Sequence, residues 1–149
     1  MAAAPSHRLK VLFLCTGNSC RSQIAEGWAK ELKRDAVEAY SAGLIPQGLN
    51  PLAVRVMAEA GVDISGQSSK PLETFREERF DYVITLCDSA HESCPVFPGC
   101  AKVVHAGFDD PPGLARSAAS EAEALIPYRR VRDEIRAFIQ TLPAGLSRS

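Results

Sequence analysis

The stretch VLFLCTGNSCRSQ, Val11 to Gln23, joins two periodicities that no single element satisfies. Val11 to Cys15 is a continuous apolar run of strand length, as expected for a strand buried on both faces, whereas Ile24, Trp28 and Leu32 recur at i, i+4 and i+8, the spacing of one helix face. Strand, short polar loop and helix form the unit from which parallel sheets are built. The rest of the chain repeats the alternation. Strands are expected at Lys10 to Cys15, Val37 to Ser41, Tyr82 to Leu86 and Lys102 to His105, each bounded by turn formers. Pro51 suits the first position of a helix over Val54 to Ala60 that Gly61 stops, and Val131, Ile135, Phe138 and Leu142 mark a last helical stripe. The expected fold class is α/β: one three-layer domain, 1–149, with a four-stranded parallel sheet flanked by helices and with 1–8 and 144–149 as flexible tails. Such sheets bind ligands beyond the carboxyl ends of their strands, where the cysteine loop lies.

With 149 residues and 46% apolar content, the chain can bury one core but hardly two. A formal net charge of −1, with basic and acidic residues interspersed, offers no field for nucleic acid or an anionic membrane, so any bound anion must be caught locally. The apolar run before the loop is too short for a secretory h-region of about 7–15 residues or a span of about 18, so a cytoplasmic protein is expected. Five cysteines is an odd count in such a chain, and reactive thiols are a better default than structural disulfides.

A loop wrapped between a strand end and a helix N-terminus aims successive backbone N–H groups at one point, which makes an oxyanion cradle of Thr16, Gly17, Asn18, Ser19, Cys20 and Arg21. Gly17 permits positive φ, Asn18 tolerates the left-handed region, and Arg21 presents a planar fork to two oxygens of a tetrahedral anion. The same features favour charge on sulfur, so Cys15 is expected to act as a thiolate nucleophile with Ser22 donating to it. The alternative is a strand-end cysteine that merely packs, but it leaves the Gly, Asn, Arg and Ser around Cys15 without a reason.

The segment CTGNSCRS resembles the anion-binding loop of the low-molecular-weight protein tyrosine phosphatase fold, and LFLCTGNSCRSQIAEGWAKE looks most like the thioredoxin-coupled arsenate reductases on that fold. YSAGL, GVDISGQSS, VITLCDSAHESCP, HAGFDDP and RVRDEI match in order, so the likeness covers nearly the whole chain. The resemblance implies that Cys15 is the nucleophile, Arg21 the oxyanion clamp, Asp110 the general acid, and Cys87 and Cys94 two relay thiols. Of Asp109 and Asp110, only one can easily face the anion site, and the likeness selects Asp110. It further implies arsenate as substrate and reduced thioredoxin as electron donor, with no bound cofactor and a monomer expected, while the cradle's shape makes phosphate and sulfate, also tetrahedral oxyanions, weak competitors. A tyrosine or small-molecule phosphatase is the alternative, although such an enzyme needs no second or third thiol. A non-catalytic redox sensor or anion-binding module is the third reading.

A helix over 87–94 would hold the two relay Cα atoms about 10.5 Å apart, beyond the roughly 7 Å limit for a disulfide, so that segment must unwind as it oxidises. A zinc cluster of Cys87, His91, Cys94, Cys100 and His105 competes for the same residues, but its gaps of six and five are not the two to four of structural zinc sites. Two departures from the resemblance stand out. Some relatives hold potassium with residues matching Asn18, Glu26 and Ser41 and a further Asp, but Lys70 stands at the Asp position here, so bound potassium is not expected. The phosphatases follow their Asp-Pro with aromatic residues, but Pro112 and Gly113 follow here, and a flat aromatic substrate loses its wall.

Overall fold

The computed structural model describes residues 8–88, 90 and 102–148. Four parallel strands, β1 (Leu9–Cys15), β2 (Val37–Gly43), β3 (Tyr82–Thr85) and β4 (Lys102–His105), lie in the order β2-β1-β3-β4. Val11 to Leu14 of β1 are wholly inaccessible, so both faces of the sheet are covered at its centre, and this is why the run does not alternate. Because the chain moves to opposite sides of β1 to make β2 and β3, the order of connection reverses at β1, and a crevice opens beyond its carboxyl end. Cys15 pairs with Gly43, Leu14 with Thr85, and Thr85 with His105, so the strand exits share one edge.

Among the described residues, helices α1 (Arg21–Leu32), α2 (Pro51–Glu59), α3 (Pro111–Ala115) and α4 (Glu121–Gln140) flank the sheet. Asn50 caps α2 by accepting the Leu52 and Ala53 N–H groups at 2.8 and 3.2 Å, with Pro51 following as expected. Gly61 ends it at φ 86°, with Gly61 N–H on Ala58 O and Val62 N–H on Met57 O, the paired bonds of a Schellman turn. Residues 22–29 of α1 are all buried, and Gly27 is where α1 packs most closely, since a Cβ there would stand 2.6 Å from Ile64 Cγ2. Trp28 is core, with its indole N–H donated to Arg132 O at 3.1 Å.

Several expected boundaries shift. β2 runs two residues beyond Ser41, because Ala42 and Gly43 continue the pairing with β1, and Leu86 falls outside β3. The short helix α3 and the 3-10 turn Leu72–Phe75 have too few residues to show a period. The buried face of α4 runs through Leu125, Tyr128, Val131, Ile135 and Ile139. Phe138 is only partly buried, against Phe108 at 6.0 Å between ring centres, and Leu142 packs beyond the helix end. The expected tail at 144–149 is a 3-10 turn over Ala144–Arg148 instead, held by Leu146 at 1% exposure.

Candidate active site

Five consecutive carbonyls of the loop after β1 are taken from outside it. Cys15 O accepts Leu44 N–H, Thr16 O accepts Ile45 N–H, and Gly17 O accepts Gln47 N–H at 2.9 Å and the Ser69 hydroxyl at 3.1 Å. Asn18 O accepts the Gln23 side-chain amide and Ser19 O accepts Asn50 N–H, at 2.9 and 3.0 Å. In a trans peptide the N–H opposes the C=O, so carbonyls turned outward leave the amides turned inward around one point. That arrangement is the geometry expected of an anion cradle, held by the Leu44–Asn50 segment and the Ser68–Lys70 segment. The left-handed residue of the loop is Asn18 at φ 47°, not Gly17. A Cβ at Gly17 would meet only the movable end of Gln47, whereas one at Gly43 would stand 2.6 Å from Asn18 N and 2.8 Å from Gly17 C, both backbone. Gly43 is thus the glycine that the cradle requires, to let β2 pass close behind it.

Behind the loop, a chain of hydrogen bonds ends on the sulfur. Lys70 N–H donates to Asn18 Oδ1 at 2.7 Å, which fixes the amide so that Nδ2 faces Ser22 Oγ at 2.8 Å. Ser22 Oγ, which accepts that donor, lies 2.9 Å from Cys15 Sγ, where its hydroxyl can donate to a thiolate. Asn18 and Ser22 are wholly buried and Cys15 is 3% exposed, so water does not compete for these bonds. Cys20 is also in the cradle, but burial, and then the neighbouring Cys15, push its thiol far above the ordinary cysteine range. It stays protonated and is no rival nucleophile.

Arg21 Nη1 donates to Phe108 O at 2.9 Å and Nη2 stands 3.6 Å from Asp110 Oδ1, which ties the clamp to the loop after β4. The two adjacent carboxylates part company there. Asp109 turns to Arg130 on α4 at 2.9 Å, and Asp110 joins Cys15, Thr16, Gly17, Ser19, Cys20 and Arg21 around one open cavity of about 340 Å³. Gln47, Asn50, Pro112 and Arg116 complete its wall. Of these four, the sequence singles out only Pro112, in place of the phosphatase aromatic wall; Asn50, besides capping α2, holds Ser19 O and donates to Tyr128 Oη at 3.0 Å.

Cys87 is buried, and its sulfur lies 3.2 Å from Thr16 Oγ1, the residue after Cys15, while accepting Ala90 N–H at 3.4 Å. His105 bridges Thr85 at 2.8 Å and Asp88 at 3.2 Å, which joins β4 to the residue after Cys87. Asp88 and Ala90 are helical. Cys94, His91 and Cys100 lie outside the described residues, as does most of the expected 87–94 segment, and of the zinc alternative only Cys87 and His105 lie within them. At the residues matched to a potassium site, Glu26 accepts the Ser41 hydroxyl at 2.5 Å and pairs with the Lys30 ammonium, and Lys70 donates to Ser68 O. Among the described residues, no helix is long and apolar enough to cross a membrane.

The family model described as low molecular weight phosphotyrosine protein phosphatase matches residues 10–149. The arsenate reductase of Bacillus subtilis (strain 168) is 50% identical over 125 residues, 84% of this chain and 88% of that protein. Among solved structures, an arsenate reductase in the phosphate binding state superposes with a TM-score of 0.70 at 34% identity, covering 92% of this chain and 98% of that one. The thioredoxin-dependent arsenate reductase of Corynebacterium glutamicum superposes with a TM-score of 0.69 at 29% identity, over 95% of this chain and 63% of that one.

Proposed function

The chain belongs to the low molecular weight phosphotyrosine protein phosphatase family, and from that premise we propose that it reduces arsenate to arsenite with electrons from its own thiols. The observation that carries this reading is a buried free thiol outside the cradle, Cys87, held 3.2 Å from Thr16 Oγ1 beside the nucleophile. Phosphoester hydrolysis uses one sulfur, one clamp and one acid. Two-electron reduction needs a second sulfur within reach of the first.

Cys15 Sγ attacks arsenic in the cradle, an As–S bond forms, and a hydroxyl leaves as water with the Asp110 proton. Cys87 Sγ then attacks Cys15 Sγ; the S–S bond forms as the As–S bond breaks, and its electron pair stays on arsenic, which leaves as arsenite. Cys94 attacks Cys87, frees the Cys15 thiolate, and carries the disulfide to where reduced thioredoxin supplies two electrons. Each cycle consumes one arsenate and two thioredoxin thiols and yields arsenite, water and oxidised thioredoxin. Phosphate and sulfate, tetrahedral like arsenate, compete for the cradle but offer no reducible centre. The outcome is arsenic detoxification in the cytoplasm, by a monomer with no bound cofactor.

The test is arsenate-dependent NADPH consumption with thioredoxin and thioredoxin reductase present. The parent protein is expected to turn over, and Cys15→Ser to lose arsenate reduction together with any phosphatase activity. Appreciable reduction by Cys15→Ser rejects the assignment.

A further inference from the structure

We propose that Arg116 is a substrate-capturing residue, a second cation that receives the outward oxygens of a tetrahedral oxyanion whose inner oxygens lie in the Arg21 cradle. The inference rests on the proposed arsenate reading for its reaction but on the cavity alone for its binding step. Charge balance motivates it. Arsenate near neutrality carries one or two negative charges, and it must enter a site whose chemistry calls for a Cys15 thiolate. Arg21 supplies one positive charge, and its guanidinium is partly engaged by Phe108 O and Asp110. Arg116 is the other guanidinium on the cavity wall. It is exposed and forms no ion pair with any described residue, so its charge is not spent within the protein.

Its position is set by the segment that delivers the acid. Asp110 O accepts Leu114 N–H at 3.0 Å and Arg116 N–H reaches Gly113 O at 3.5 Å, so α3 is a single short turn with Asp110 at its start and Arg116 at its end. A Cβ on Gly113 would stand 3.0 Å from Asp110 Oδ2, which shows how closely the turn folds over the carboxyl. Acid and second cation are thereby presented to the cavity together. They have different tasks: Asp110 protonates the leaving oxygen, and Arg116 offsets the repulsion that an attacking Cys15 thiolate imposes on an entering oxyanion. Arsenous acid is uncharged near neutrality. A guanidinium at the rim therefore holds the substrate and lets go of the product, and this differential is what a capturing residue needs.

The experiment compares the full-length parent, Arg116→Ala and Arg116→Lys. Inorganic phosphate binding is followed by calorimetry and by protection of Cys15 from alkylation, neither of which requires turnover. Arg116→Ala is expected to weaken phosphate by about five- to twenty-fold at low salt, between an exposed ion pair and a charge-assisted hydrogen bond, with the difference shrinking in 1 M salt. Arg116→Lys keeps the charge and should recover most of the loss. In turnover, the arsenate KM should rise by a similar factor with kcat changed less than about three-fold, and inhibition by arsenite should not move. Equal phosphate affinity in parent and Arg116→Ala, or a loss in Arg116→Lys as large as in Arg116→Ala, overturns the proposal. Absence of arsenate reduction in the parent, with the phosphate difference intact, rejects the reaction and leaves the anion site standing.

Discussion

Ser22 Oγ lies 2.9 Å from Cys15 Sγ while it accepts the Asn18 amide at 2.8 Å, so the amide holds the hydroxyl where it can donate to a Cys15 thiolate. That relationship turns a small buried serine at the first turn of α1 into a support for charge on the nucleophile. Hydrogen bonds to charged groups contribute about 1.5–3 kcal/mol, so Ser22→Ala should lower kcat/KM by roughly 10- to 100-fold. Alkylation of Cys15 by iodoacetamide at pH 7 should slow in parallel. Parent-like alkylation and turnover would mean that the serine only fills space.

Gly43→Ala tests the close passage of β2 behind the cradle. The added methyl would meet backbone on both sides, at Asn18 and Gly17, where no side chain can swing away. Overpacking of this kind costs about 1–3 kcal/mol, a fall of roughly 3–10 °C in thermal midpoint for a chain of this size. Loss of phosphate protection of Cys15 should accompany it. A variant with the parent's midpoint and phosphate affinity would show that the loop has room to move.

Much of this site is legible in the chain itself. Val11 to Gln23 carries the strand, the loop, and the side chains of Cys15, Asn18, Arg21 and Ser22 that the cavity and its supporting bonds bring together, because all are local to one strand–loop–helix unit. What is not legible depends on partners far along the chain. The choice between Asp109 and Asp110 is made by Arg130, twenty-one residues on, which draws Asp109 away. The glycine that the cradle needs is on β2 and not in the loop, since the crowding arises only when the strands pair. Asn18 takes the left-handed conformation that Gly17 would accept at no cost, because its amide is needed between Lys70 N–H and Ser22. Arg116 reads as an ordinary surface charge until α3 folds over the cavity.

The two adjacent aspartates should separate cleanly in mutation. Asp110→Asn removes the proton donor to the leaving oxygen and should lower kcat by about 10²–10⁴-fold. Asp109→Asn breaks only the exposed contact to Arg130, worth less than about 1 kcal/mol, and should keep activity within about two-fold. Steady-state kinetics at pH 7 on both variants decides it, and the reverse pattern would assign the acid to Asp109.

Cys87→Ser separates reduction from anion binding. The cradle, Arg21 and Asp110 remain, so phosphate should bind within about two-fold of the parent, while thioredoxin-driven arsenate turnover should stop. Any weak hydrolysis of p-nitrophenyl phosphate should persist, because it calls on Cys15 alone. Multiple arsenate turnovers by this variant would remove Cys87 from the reaction.

The central claim, that electrons reach arsenic from Cys15 and Cys87 and the oxidised pair is then passed on, is tested most directly by mapping disulfides after arsenate treatment without reductant. Peptide mass mapping under non-reducing conditions should find a Cys87–Cys94 bridge in the parent protein. In Cys94→Ser, one arsenite per chain should be released and the bridge should remain between Cys15 and Cys87. No Cys15–Cys87 bridge in Cys94→Ser after arsenate, or sustained thioredoxin-driven turnover by that variant, would contradict the relay.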